Sequence, residues 1–426
     1  MAAYAAGMRR SPLSLHYEQL IGLTPPWRVV GVQTDHDGRE VQVRVECRPE
    51  ARLRCPECNQ IRGGYDTRER RWRHLDTMQY QTVLIAQVPR VRCDEHGVRQ
   101  ITVSWAEEGS RLTAMFEALV IDWLHEANFS AVARLLGLSW DQVAGIQGRA
   151  VKRGLARRER TAPTRIGIDE TSFAKRHEYV TVVHDQIDGI VLYVADGRKR
   201  DSIDAFFEGI GDGGCEGLQS IAMDMWPPYI GSVRNYVPEA DSKLVFDKFH
   251  IAKHLGDAVD QVRRQENKAL RADGDDRLAK TRYQWLTNPE RMSRKQWLAF
   301  APLRDSTLKV ARAWAIKELA MSLWGYARRG WAERMWQRWY SWAIRSKLDP
   351  IKRVARMVKK HWNGVINAAT TDVTNARAES LNSKIQWVKR QACGFRNRES
   401  FRNAIYFHLG GLDLYPAIPG MTHSKS

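Results

Sequence analysis

Residues 164–173 read TRIGIDETSF. Arg165 to Asp169 has the apolar-rich, β-branched character of a short buried strand, and Asp169 stands at its end. Two further carboxylates occupy comparable settings far downstream: Asp224 in SIAMDMWPPY and Glu379 in TNARAESLNSKIQ. The expectation is that these three acids converge on divalent metal ions. Two carboxylates about 4 Å apart repel by roughly 4 kcal/mol at an effective dielectric of 20, so a cluster of three requires protons or cations among them. Oxygen ligands of this kind suit Mg²⁺ or Mn²⁺, which keep waters and accept phosphate oxygens. A pair of such ions serves in-line displacement at a phosphodiester.

Working outward from this stretch, residues 164–250 read as a βββαβαβ series. YVTVVHDQ and GIVLYVAD are split by the hairpin signal Asp188-Gly189. DSIDAFFEGI has helical spacing, SIAMD is a fourth strand and KLVFDKF a fifth. Three antiparallel strands followed by alternating helix and strand resemble the ribonuclease-H-like fold, in which Asp169 and Asp224 are neighbours. Asp247 and His250, in FDKFH after the fifth strand, lie near the same edge and are accessory candidates, Asp247 for metal and His250 for a phosphate or leaving-group contact. Residues 251–374 then carry helical patterns only, with ten of the sixteen tryptophans between Trp285 and Trp387. Most of these are expected to pack helices, although exposed indoles can stack on unpaired bases. Glu379 returns on a helix whose polar face carries Asn375, Glu379, Asn382, Ser383 and Gln386, with Leu381, Ile385 and Val388 opposite.

Upstream, residues 11–104 read as mostly strand, with VQVRVEC alternating at period two. Cys55-Pro-Glu-Cys58 and Cys93-Asp-Glu-His96 each present two ligands two residues apart, the spacing of a tetrahedral zinc site. Four protein ligands leave no place for water, so this zinc is expected to be structural. The interval between the pairs should be a hairpin. Arg71 and Arg73, within the basic run around Trp72, are candidate phosphate contacts. Residues 110–155 turn helical, with a stripe of Leu112, Phe116, Leu119 and Trp123. Ser139 and Gln142 then have the capping-box spacing after Gly137, and helix, glycine turn and capped helix make a helix-turn-helix. Trp140, Gln142, Gln147 and Arg149 are its candidate groove readers. Lys384 and Arg390 are candidate DNA contacts near the end.

A formal net charge of +18 at pI about 9.8 favours a polyanionic partner, and its spread along the chain points to nucleic acid. Six cysteines in 426 residues are too few for a disulfide framework. No apolar run is long enough for a membrane span. The start lacks a secretory pattern, so a cytoplasmic protein is expected.

The motifs IGIDETSF, DMWPPY, VFDKFHIAKHL and NARAESLNSKIQ followed by KRQACGFRN, together with the CPEC and CDEH pairs, resemble insertion-sequence transposases of the DDE type, specifically the IS-L-three family. The resemblance covers nearly the whole chain. It implies an α/β architecture: a ribonuclease-H-like core at 161–250 and 375–412, interrupted by an all-helical insertion at 251–374. A zinc-binding domain at 11–104 and a helix-turn-helix at 105–160 precede it. It further implies Asp169, Asp224 and Glu379 as catalytic acids, and a bacterial mobile element with terminal inverted repeats. Binding to those repeats and to target double-stranded DNA, by a homodimer, would follow. A non-catalytic DNA-binding regulator and a two-metal hydrolytic nuclease are the competing readings.

Overall fold

The computed structural model describes residues 11–159, 162–174, 178–371 and 376–418, with backbone alone at 174 and 376–379. Its described residues form two compact units, one drawn from 11–158 with 389–418 and the other from 159–388. No helix among them is long and apolar enough to cross a membrane.

The first unit begins with helix α1 (Pro12–Ile21), capped by the Ser11 side chain. A five-stranded sheet follows: β1 (Trp27–Asp35), β2 (Glu40–Cys47), β3 (Gly64–Thr77), β4 (Tyr80–Cys93) and β5 (Gly97–Gln100). Its order is β1-β2-β4-β3, with β5 beside β4, and only the β2–β4 pair is parallel. The alternation in VQVRVEC is realised as burial of Val41, Val43 and Val45. Edge-to-face contacts of Trp105 with Trp27 and Trp72, at 4.9 and 5.3 Å, fill the core. The β3–β4 hairpin spans the interval between the two ligand pairs.

Three helices continue this unit: α2 (Ala114–Glu126), α3 (Phe129–Leu136) and α4 (Trp140–Arg157). Gly137 ends α3 in the left-handed region, at φ 63°, and the Ser139–Gln142 capping box opens α4. The buried face of α2 is rotated from the stripe read in the sequence. Phe116, Val120, Ile121 and Leu124 point inward while Trp123 is exposed. The rotation is set by Glu117, which is buried and receives Arg149 at 2.5 Å and Arg153 at 3.5 Å.

The second unit holds another five-stranded sheet. Its elements are β6 (Arg165–Ala174), β7 (Glu178–Asp185), β8 (Val191–Asp196), α5 (Asp201–Gly217), β9 (Ser220–Met223), α6 (Pro227–Tyr236), α7 (Ala240–Lys243) and β10 (Leu244–Phe246). The sheet order is β10-β9-β6-β7-β8. Strands β6, β7 and β8 are antiparallel, whereas β9 runs parallel to β6 and β10 parallel to β9. The last strand is shorter than KLVFDKF suggests, because the Asp247 side chain accepts from the Phe249 amide at 2.7 Å and starts a helix instead.

That helix, α8 (Lys248–Ala272), opens a purely helical stretch: α9 (Arg282–Leu286), α10 (Arg294–Arg304), α11 (Lys309–Met321), α12 (Arg329–Arg345), α13 (Asp349–Lys360) and α14 (Trp362–Thr370). Trp285, Trp336 and Trp339 are fully buried here. The indoles of Trp336 and Trp339 donate to the carbonyls of Leu323 and Ile316, at 3.0 and 2.9 Å, which removes the cost of burying their N–H groups. Asn367 of α14 donates to the carbonyls of Asp241, Ser242 and Leu244, binding this stretch to the end of the sheet. Helix α15 (Ala376–Gln391) comes next, with Leu381, Ile385 and Val388 buried as its apolar stripe requires.

The chain finally returns to the first unit through α16 (Arg398–Leu409), which packs on α4. Arg153 donates to the Leu414 carbonyl, and Arg157 to the Tyr415 carbonyl at 2.7 Å. Tyr415 donates to Asp122 at 2.6 Å. Gly154 permits the approach, since a Cβ there would lie 2.6 Å from that of Leu412.

Within the second unit, His184 on β7 faces Gly167 on β6, where any added Cβ would overlap the imidazole. Neither ring nitrogen has a hydrogen-bond partner among the described residues. Burial therefore lowers the His184 pKa to about 4, and the Asp185 charge only partly opposes this. An unfolded chain titrates this residue near 6.5, so it binds more protons than the folded one between pH 6.5 and 4. Stability should consequently fall as pH drops through that window. His184→Leu should flatten the decline, measured by urea unfolding at pH 7 and 4.5. Equal declines in both proteins would place the acid sensitivity elsewhere.

Candidate metal centre and nucleic-acid interface

Parallel register brings the acids of the second unit together. Ile168 pairs with Met223, and Met223 with Phe246. The next residue on each strand is an aspartate: Asp169, Asp224 and Asp247. Asp169 lies midway along β6, which continues to Ala174, while Asp224 and Asp247 stand just past the carboxyl ends of β9 and β10, so the parallel register sets the three level with one another. Asp247 is additionally held by its own amide, which donates to the Met223 carbonyl at 3.3 Å.

His250, one turn into α8, completes the cluster. Its Nε2 lies 2.5 Å from Asp224 Oδ1 and 3.9 Å from Asp247 Oδ2. One ligand atom from each of Asp224, Asp247 and His250 lies within 4.8 Å of the others. The hydrogen bond to Asp224 raises the His250 pKa, with further help from the charges of Asp224, Asp247 and Asp169. Asp169 is pushed above the usual carboxylate range, chiefly by burial and also by Asp224. Its Oδ1 accepts from the Glu170 amide at 2.7 Å, while Oδ2 accepts from Asn382 of α15. Gln386, one turn further along α15, reaches Thr171 Oγ1 at 3.4 Å. Glu170 faces Arg198 at 3.7 Å, and that guanidinium lies between the rings of Tyr179 and Trp226.

Of the three acids read from the sequence, Asp169 and Asp224 stand side by side. Glu379 lies on α15, but its side chain is outside the described residues, as is Asn375 entirely. Asp247 and His250, read only as accessories, sit directly against Asp224. The oxygen-rich donor set fits a hard divalent cation.

In the first unit, Cys55, Cys58, Cys93 and His96 gather with their ligand atoms within 4.8 Å of one another. Cys58 and Cys93 sulfurs are 3.7 Å apart, and Cys93 Sγ is 3.5 Å from His96 Nδ1. Two thiolates each about 2.3 Å from a tetrahedral zinc would be separated by roughly 3.8 Å, so the quartet fits that ion. The adjacent His96 lowers the Cys93 pKa to about 6, favouring the thiolate form that binds metal.

The groove-reading candidates fare unequally. Gln142 is exposed, though its side chain also caps α4, and Trp140 is half-buried beneath Arg396, whose guanidinium lies 4.3 Å from the ring centroid. Gln147 is only 2% exposed, which takes it off the surface a groove would meet, and Arg149 is tied to Glu117. Arg71 is exposed and paired with Glu40, whereas Arg73 is largely covered and paired with Asp76. Lys384 and Arg390 are exposed on α15. Arg396 belongs to the basic run that follows Lys384 in the sequence, but its contact with Trp140 has no sequence signal. Its place over Trp140 depends on the return of the chain to the first unit, which no local pattern announces.

Comparison with known proteins follows the same three blocks. The zinc-finger profile of the IS204/IS1001/IS1096/IS1165 transposases matches residues 51–96, and the helix-turn-helix profile of transposase family ISL3 matches 101–151. The ISL3 DDE transposase profile matches 166–405, more than half of the chain. The transposase for insertion sequence element IS1001 of Bordetella parapertussis is 27% identical over 384 residues, spanning 88% of this chain and 94% of that protein. The transposase for insertion sequence element IS1557 of Mycobacterium tuberculosis strain CDC 1551 is 28% identical over 411 residues, or 90% and 91% of the two chains. With adjacent aspartates on β6 and just after β9, a cluster of three cysteines and a histidine, and a capped helix-turn-helix all falling inside the matched blocks, the chain belongs to the ISL3 family of DDE transposases.

Proposed function

We propose that this transposase binds the terminal inverted repeats of a bacterial insertion sequence, cuts the DNA there and joins the freed ends to target DNA. The carrying observation is the level register of Asp169 and Asp224 on adjacent parallel strands. The strand order β8-β7-β6-β9-β10, antiparallel on one side and parallel on the other, supports reading the sheet as a ribonuclease-H-like core. On that reading 251–374 is a helical insertion, and α15 resumes the core. Glu379 belongs to the motif NARAESLNSKIQ inside the block matched by the DDE transposase family. We take it as the third catalytic acid.

Asp169, Asp224 and Glu379 would hold Mg²⁺ or Mn²⁺, with Asp247 as an accessory ligand. Ions bound there supply charge to the attacking and leaving oxygens of an in-line displacement. In cleavage a water oxygen bonds to phosphorus as the bond to O3′ breaks; in joining, the released 3′-hydroxyl replaces water and the target's own O3′ departs. Asn382 orients the Asp169 carboxylate, and His250 neutralises Asp224 and stands ready to donate a proton to a leaving oxygen. The zinc quartet stiffens the first unit, and Trp140, Gln142, Arg71, Lys384 and Arg390 meet DNA. Work at two ends suits a homodimer in the cytoplasm, at the nucleoid. Water used as the sole nucleophile would make the protein a hydrolytic nuclease, a choice that product analysis decides.

Asp224→Ala and Glu379→Ala should each abolish cleavage of end-bearing DNA while binding to it stays within about twofold. Normal cleavage by the Glu379 variant would remove that residue from the site. Asn382→Ala should slow cleavage about 10- to 100-fold, as loss of a ligand-orienting group does; an unchanged rate would make its bond to Asp169 merely structural. Wild-type protein should contain about one zinc per chain, and Cys58→Ser should lose the metal and weaken end binding. Retained zinc in that variant would contradict the quartet.

A further inference from the structure

Helix α12 presents two unlike faces. Ala332, Trp336, Trp339 and Ala343 are buried. Trp331, Arg334, Arg338, Trp342 and Arg345, at spacings of three and four residues, form an exposed stripe on the opposite side. Trp331 is 53% and Trp342 39% exposed, so two of the largest apolar side chains lie among arginines in water. Arg334 lies over the Trp331 ring at 4.7 Å, and Arg345 donates to the Ser341 carbonyl. Among the described residues none of these three arginines pairs with a carboxylate. The helix's one acid, Glu333, is taken by Arg329 at 2.8 Å.

We propose that this face binds a DNA strand with unpaired bases, its arginines meeting phosphates and Trp331 and Trp342 stacking on bases. The stripe runs about 21 Å at 1.5 Å per residue, enough for several nucleotides. Phosphates alone would need only the arginines, and base pairs in a duplex keep their faces covered by stacking. Exposed indoles beside cations match a strand whose bases have been freed, because every base offers a π-face. A second copy of the chain is a poorer occupant. A two-fold contact would set the same arginine row against itself, and like charges facing each other oppose association. The burial pattern of α12 explains why these residues are available: Trp336 and Trp339 already fill the core with satisfied indoles, and nothing inside requires Trp331 or Trp342.

This inference rests on the reading of the protein as acting on DNA, and the test separates the two. Full-length protein is titrated against a fluorescent mixed-sequence single strand of about twenty nucleotides, and against the same strand annealed to its complement, with anisotropy read at one salt concentration. Trp331→Ala and Trp342→Ala should each weaken single-strand binding about tenfold and change duplex binding less than about twofold. Trp331→Tyr, which keeps an aromatic face, should restore most of the loss and so exclude misfolding as the cause. Arg338→Ala should weaken both complexes and lower the salt slope by about one. Unchanged single-strand affinity in both tryptophan variants overturns the proposal, as does an equal loss on both probes. A shift toward monomer in sedimentation when the tryptophans are removed also overturns it, by making the face a protein contact. Wild-type protein that binds neither probe overturns the DNA-acting reading itself.

Discussion

The second unit depends on the pairing of three parallel strands in one register. Because β9 and β10 end level with Ile168 of the longer β6, Asp169, Asp224 and Asp247 emerge from the same pleat row. A slip of one residue would turn a strand's side chains to the opposite face and bury its aspartate in the core. The arrangement concentrates negative charge, and the protein answers with local devices. His250 bonds Asp224, Asn382 bonds one oxygen of Asp169, and the Glu170 amide takes the other. The Asp247 carboxylate accepts from the Phe249 amide at the start of α8. Burial above all, with the Asp224 charge adding to it, makes Asp169 hold its proton more tightly than an exposed aspartate.

The first unit solves a different problem. Its sheet carries a long, mostly exposed β3 at the edge, with Arg68, Arg70 and Arg71 outward, and such an edge resists pairing with other chains through its charge. The cluster of Cys55, Cys58, Cys93 and His96 brings the loop before β3 against the turn after β4, at the base of the hairpin. A buried carboxylate, Glu117, organises α2 and α4 by drawing in two arginines. Such a pair gives little net stability against an apolar replacement, but removing either partner strands a buried charge.

Much of this could be read from residue order. The CPEC and CDEH spacings and the Ser139–Gln142 cap are local patterns with local causes, and each appears where its chemistry calls for it, whereas the strand read as ending at Asp169 runs on to Ala174 through its pairing with β7. What could not be read depends on contacts between distant segments. Trp331 and Trp336 look alike in the sequence, yet the packing of α12 buries one and exposes the other. Gln147 sits at a plausible groove position, and only the docking of α4 on its neighbours covers it. The level of Asp247 with Asp224 follows from a three-residue strand too short to fix its own register from pattern. Nothing in the composition of residues 389–418 announces that they belong with α4.

That return has a consequence for how the molecule is made. Gly154 leaves room for Leu412, and Arg153, Arg157 and Asp122 engage backbone and side chains of residues 414 and 415. During synthesis α4 is in place long before its covering segment exists, and domains otherwise complete themselves as they leave the ribosome. This one must wait through some 230 residues of the other unit. A message cut short anywhere in that interval yields a helix-turn-helix with its apolar and cationic back uncovered. Truncated products are therefore expected to be targets for proteolysis rather than lasting competitors for DNA, so that full-length translation itself limits which copies of the protein can act.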